Sequence, residues 1–144
     1  MQNLPHFYTV SATGEESGNV VLHSERLPKL TSAPPSEFGG PGDQWSPETL
    51  LVAAVADCFI LTFRAIARSS KLPWQYLTCN VTGTLDNPNN KMLFTHLKLQ
   101  VTLTIPESCN EDRARRILEK SEHNCLITNS LTSTIELIIT LNKI

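Results

Sequence analysis

Residues 5–13 and 18–25, "PHFYTVSAT" and "GNVVLHSE", carry the β-branched and aromatic alternation of strands. "GEESG" between them supplies turn residues, so the pattern predicts a hairpin. Residues 32–47, "SAPPSEFGGPGDQWSP", are dense in Pro, Gly and Ser and predict a long loop inside one domain. Such loops are often functional. A helix is then predicted from Ser46 to about Lys71. Ser46 is a good N-cap, Pro47 suits the first helical position, and Glu48 matches the positive end of the helix dipole. Between Leu50 and Phe63 this helix is apolar on nearly every side, which predicts burial all round. At about 35 Å it is long for so small a chain to cover, and a second subunit is the expected cover.

Residues 75–86 and 91–105, "QYLTCNVTGTLD" and "KMLFTHLKLQVTLTI", alternate as two further strands joined by an "NPNN" turn. An amphipathic helix is predicted over 111–122, capped by Asn110 or Ser108. "HNCLITNSLT" reads as one or two helical turns, and 135–142 as a closing strand. The order is strand, strand, long helix, strand, strand, helix, turn, strand. It lacks alternating βαβ units, so the fold class is α+β with antiparallel sheet rather than a doubly wound nucleotide-binding fold. "FGGPG" is glycine-rich but is followed by no phosphate-loop spacing.

The 144 residues fit a single domain spanning 1–144. With 40% hydrophobic and 18% charged residues and a net charge of -2, the chain offers no broad basic surface for nucleic acid or anionic lipid. The cluster of Arg113, Arg115 and Arg116 reads as a solvated helix face. The apolar run interrupted by Asp57 is shorter than the ~20 residues a bilayer requires, and "MQNLPHFYTV" has no signal-peptide pattern. The expectation is a cytoplasmic protein with no membrane partner.

The remaining chemistry lies in four cysteines: Cys58, Cys79, Cys109 and Cys125. None forms a C-x-x-C pair or a zinc-ligand set, so no metal or other cofactor is expected. Cys58 sits within the apolar helix, where a thiol ordinarily packs as a small hydrophobe and its pKa rises. Cys125 stands at the start of a helical turn, where unpaired backbone N–H groups favour a thiolate. Two thiols this remote in sequence could meet in space and form a reversible disulfide. Cys79 and Cys109 read as structural. His123 is close enough in sequence to Cys125 to tune it, but reads as an exposed residue at a helix end.

"FGGPGDQWSPETLLVAAVADCF" and "ILEKSEHNCLITNSL" resemble the two cysteine segments of the OsmC/Ohr family of thiol-dependent organic hydroperoxide reductases. The resemblance covers nearly the whole chain, with Cys58 ten residues past Glu48. It implies an OsmC-like fold, with sheets wrapped around central long helices in an intertwined homodimer whose two active sites lie at the subunit interface. By position it implies Cys58 as the peroxidatic thiol, Cys125 as the resolving thiol and Glu48 as the active-site glutamate. Along a straight helix Glu48 and Cys58 would be about 15 Å apart, so Glu48 would reach the thiol from the partner chain or through a bend. The implied substrate is an alkyl or lipid hydroperoxide, and the implied reductant an external dithiol such as a lipoylated protein.

The peroxide-reducing relatives carry an arginine in the first hairpin. The corresponding "TGEESGN" has Glu15 and Glu16 instead, leaving Arg26 as the nearest basic candidate, followed by Lys29. An uncharged setting would leave the thiol only a few per cent ionised at neutral pH. The competing expectations are a binding module for an apolar ligand at the dimer interface, and a thiol hydrolase pairing Cys58 with His123.

Overall fold

The computed structural model describes residues 2–144. The chain divides after Leu50 into two compact units. In the first, β1 (Ser11–Thr13), β2 (Val20–His23) and β3 (Leu30–Ser32) form an antiparallel sheet in that order. The expected first strand is shorter than its sequence pattern: residues 5–10 have no ladder partner among the described residues, and Phe7 and Tyr8 are exposed. β3 was not expected, because three residues are too few to display a period. The predicted loop follows, with a 3-10 turn at Ser36–Phe38 and a parallel bridge from Ser32 to Trp45. Its tightest point is Gly40, where a Cβ would sit 1.6 Å from the Pro34 carbonyl oxygen, so only glycine fits.

α1 (Pro47–Ser69) starts as the sequence predicts. The Ser46 hydroxyl accepts from the Thr49 N–H at 3.1 Å, and the Thr49 hydroxyl oxygen accepts from the Ser46 N–H at 2.9 Å. This reciprocal pair satisfies donors that a helix start leaves open.

In the second unit, β4 (Tyr76–Asp86), β5 (Leu93–Ile105) and β6 (Thr134–Lys143) form one sheet with β5 in the middle. β4 and β5 pair antiparallel through the expected turn. β5 and β6 run parallel, which corrects the expectation of a purely antiparallel sheet. The physical reason is the connection between them. α2 (Glu111–His123) and α3 (Leu126–Asn129) give the chain enough length to return to the start of the ladder, which a tight turn cannot do. Asn110 caps α2, its side-chain oxygen accepting from the Arg113 N–H at 2.9 Å.

One face of the sheet is the core. Leu97, Leu99, Val101, Leu103 and Ile105 alternate inward along β5 and are buried under α1 and α2. From α1 the buried residues are Val55, Phe59, Phe63 and Ala67, a stripe of four-residue spacing. Phe63 meets Trp74 edge-on with ring centroids 5.2 Å apart. At Gly83 an added Cβ would lie 2.9 Å from both Phe94 and Val52, so the missing side chain lets α1 approach the strand.

Burial all round, expected for α1, does not hold within the chain: only 22% of its most apolar stretch is buried, and Leu61 is 51% exposed. At 23 residues the helix is also long and apolar enough to cross a membrane by length and composition, contrary to the expectation from its apolar run. Within this unit its stripe is packed on the sheet instead. The arginine cluster on α2 is only partly a solvated face. Arg113 donates to the Ser70 carbonyl and Arg115 to the Ile139 carbonyl, tying α2 to the end of α1 and to β6.

Candidate active site

Cys58 is the twelfth residue of α1 and lies on the flank of its buried stripe, one position before Phe59. Its side chain is half-buried, so the sulfur is within reach of solvent. Asp57, its neighbour, is exposed and turned away, as the 100° step between helical residues requires. On the same helix, one turn on, the Thr62 hydroxyl oxygen is 3.9 Å from the Cys58 sulfur.

Cys125 reaches the same place from the other side of the core. The last turn of α2 ends at Asn124, and Cys125 is the N-cap residue of α3. The turn is held by the Asn129 N–H and the Thr128 hydroxyl, which both donate to the Cys125 carbonyl, at 3.0 and 3.1 Å. Cys125 is fully buried. Burial pushes its thiol pKa up, and the adjacent Cys58 adds to the rise by hydrogen bonding and by charge. The sulfur makes no capping bond of normal geometry, yet the backbone N–H and hydroxyl of Thr128 lie close enough to act in the opposite direction. The structure thus brings together two free thiols that are 67 residues apart in the sequence.

A third thiol adjoins them. Cys79 lies on the inner face of β4, opposite Val101, among the residues packed against the core. Burial, with a smaller contribution from the neighbouring Cys125, pushes its pKa up to about 12. It therefore stays protonated at any physiological pH and behaves as the packed hydrophobe that the strand alternation predicts. Its closeness to Cys125 had no signal in the sequence. The same is true of Thr62 and Thr128. Cys109 is buried before α2, with its thiol directed at the Asn110 carbonyl.

The other expected site residues lie elsewhere. In the first unit, Glu48 carries a carboxylate oxygen, Oε2, that is buried with no hydrogen-bond partner among the described residues. A lone buried acceptor is costly unless something meets it. Arg26 is almost wholly solvated, adopts a left-handed backbone with φ 62°, and is paired with Glu25 at 3.7 Å. In the second unit, His123 is exposed and paired with Glu122 at 3.1 Å.

The thiol pair, on a long helix and a short turn beside a three-stranded sheet, defines a class. A family profile described as OsmC-like protein matches residues 40–140. The chain belongs to the OsmC-like family. It is 28% identical over 127 residues to the uncharacterised protein YmaD of Bacillus subtilis, covering 85% of this chain and 78% of that protein. It is 26% identical over 133 residues to the organic hydroperoxide resistance protein of Xanthomonas axonopodis pv. citri, covering 91% and 90% of the two chains. Among solved structures, an OsmC-like protein of unknown function from Vibrio cholerae superposes with a TM-score of 0.84 at 17% identity, over 96% of this chain and 100% of that one. At that identity the likeness bears on the fold, and it agrees with the α+β OsmC-like architecture that the sequence implied.

Proposed function

We propose that this protein is a thiol-dependent peroxidase that reduces organic hydroperoxides, alkyl or lipid, to alcohols. The observation that carries this reading is the adjacency of Cys58 and Cys125, one residue half-buried and the other fully buried beside it. Similarity to an organic hydroperoxide resistance protein over nine-tenths of both chains supports the same reading.

The Cys58 thiolate attacks the terminal oxygen of the hydroperoxide. The O–O bond breaks, an S–O bond forms, and the departing alkoxide takes a proton to leave as the alcohol. Cys58 is now a sulfenic acid. Cys125, as its thiolate, attacks the Cys58 sulfur, displacing hydroxide, which leaves as water, and forming the Cys58–Cys125 disulfide. An external dithiol, a lipoylated protein or a small-molecule equivalent, reduces that disulfide by two exchanges and is itself oxidised. The largely apolar surface of α1 around Cys58 favours greasy peroxides over hydrogen peroxide.

The working form in this reading is a homodimer. Its support is the large uncovered apolar surface of α1, which a second copy would bury, and the unpartnered Glu48 oxygen, which a cation would satisfy. Glu48 remains the candidate active-site glutamate, and Arg26, free in solvent but for Glu25, the candidate cation.

The test is a thiol count on reduced protein before and after one equivalent of cumene hydroperoxide. Loss of two thiols per chain, abolished in Cys58→Ser, is the expected result. Retention of all four thiols would overturn the peroxidase reading and leave a binding module for an apolar ligand on the same fold.

A further inference from the structure

Cys58 lies near the middle of α1, where every backbone N–H is committed to the helix and the dipole of the helix start is several turns away. Whatever stabilises a thiolate there must come from a side chain. Among the described residues, the Thr62 hydroxyl, at 3.9 Å, is the side-chain oxygen within hydrogen-bonding range of the Cys58 sulfur, alongside the Cys125 thiol. The two are one turn apart on the same helix face, and both are half-buried.

The position of that hydroxyl is informative. A hydroxyl in a helix ordinarily donates to a carbonyl three or four residues back. In this chain Ser69 donates to Ile66 at 2.9 Å, Ser121 to Ile117 at 2.6 Å and Ser130 to Leu126 at 2.8 Å. Thr62 has no such bond to the Cys58 carbonyl among the described residues. Its hydroxyl oxygen lies 3.9 Å from the sulfur of the same residue instead, and either group can donate in that contact. At 3.9 Å the contact is long for a neutral thiol. It has room to shorten when the sulfur carries charge, because hydrogen bonds to ions are shorter and stronger.

We propose that Thr62 is a positioning residue for Cys58, its hydroxyl donating to the thiolate and fixing the sulfur on the solvent-facing flank of α1. This rests on the peroxidase reading for its purpose, but not for its measurement.

The experiment follows the rate of iodoacetamide alkylation of Cys58 against pH, on fully reduced protein, reading the Cys58 peptide by mass spectrometry. In Thr62→Val the rate at pH 7 is expected to fall about three- to tenfold. Thr62→Ala must shift in the same direction, and Thr62→Ser must restore the wild-type curve. A wild-type curve in both Val and Ala variants overturns the proposal. So does an equal shift in Thr62→Ser, since a purely structural role would not respect the hydroxyl. Cumene hydroperoxide consumption, measured in parallel on the wild type, separates the two readings. A shifted alkylation curve in an inactive wild type keeps Thr62 and sinks the peroxidase. An active wild type with an unshifted variant does the reverse.

Discussion

Cys125, fully buried at the start of α3, has its thiol pKa raised, in part by the half-buried Cys58 of α1 beside it. The two residues therefore differ in access, and Cys125 senses the charge of Cys58. In the proposed cycle, peroxide meets Cys58 first and Cys125 closes the disulfide.

Replacing Cys125 by Ser should leave the first oxidation of Cys58 intact and block closure of the disulfide. One thiol is then lost per equivalent of peroxide rather than two, and dimedone should trap a Cys58 sulfenic acid visible by mass spectrometry. Steady turnover with a dithiol should fall at least about tenfold, because the cycle loses its exchangeable disulfide. Undiminished turnover would remove Cys125 from the reaction.

The raised pKa of Cys125 gives closure a pH dependence. Only its thiolate attacks the sulfenic acid, and below its pKa the thiolate fraction rises about tenfold per pH unit. The disulfide should therefore form faster from pH 6 to pH 8, and the share of Cys58 captured by dimedone should shrink. A capture fraction that does not change with pH would argue against rate-limiting attack by Cys125.

Cys79 makes a prediction about stability. Its folded pKa is about 12, against an ordinary value of 9.0 that the unfolded chain regains. Because the folded value is the higher one, this group's favourable contribution is fully present below pH 9 and is lost as pH rises from 9 towards 12. The loss is at most about 1.4 kcal/mol per pH unit. Urea midpoints at pH 8.5, 9.5 and 10.5 should fall less steeply in Cys79→Ala than in the wild type. Parallel slopes would show that Cys79 ionises in the fold as easily as in water.

Two glycines should differ in cost. At Gly40 a methyl group would collide with the Pro34 backbone carbonyl, which cannot swing aside. At Gly83 it meets the side chains of Phe94 and Val52 at 2.9 Å, which can shift by a fraction of that distance. Gly40→Ala should lower stability by several kcal/mol or prevent folding, and Gly83→Ala by about 1–3 kcal/mol, the usual range for overpacking. Equal urea midpoints in the two variants would contradict this.

Exposed Leu61 on α1 tests the dimer. Sedimentation equilibrium should give about twice the 16.0 kDa chain mass, and Leu61→Glu should shift it towards the single-chain value. A wild type that sediments as one chain at high micromolar concentration would remove the dimer from the proposed function.

Much of the architecture was legible because its signals are local. Ser46 and Pro47 begin α1, Asn110 begins α2, and the alternation from Leu93 to Ile105 marks β5 with its buried face. β3 escaped because Leu30–Ser32 is shorter than one full period of a recognisable pattern. The parallel pairing of β5 with β6 escaped because alternation reports which face is buried, not which way a neighbouring strand runs. The arginines of α2 looked like a solvated face because sequence cannot show that a guanidinium reaches a carbonyl on another element.

By itself, the sequence determined the order of helices and strands, the two cysteine segments and the family they resemble, because caps, turns and periodicity are written within a few residues of one another. Only the tertiary structure decided which thiols are neighbours. Cys58, Cys79 and Cys125 come from a helix, a strand and a turn. They are joined by packing across the core, where burial raises the Cys79 and Cys125 thiols, with a smaller contribution to Cys79 from Cys125 and to Cys125 from Cys58. The proximity of the Thr62 hydroxyl to the Cys58 sulfur was settled in the same way. A side chain's choice between its own helix and a nearby sulfur is made by rotamers and neighbours that no spacing in the chain encodes.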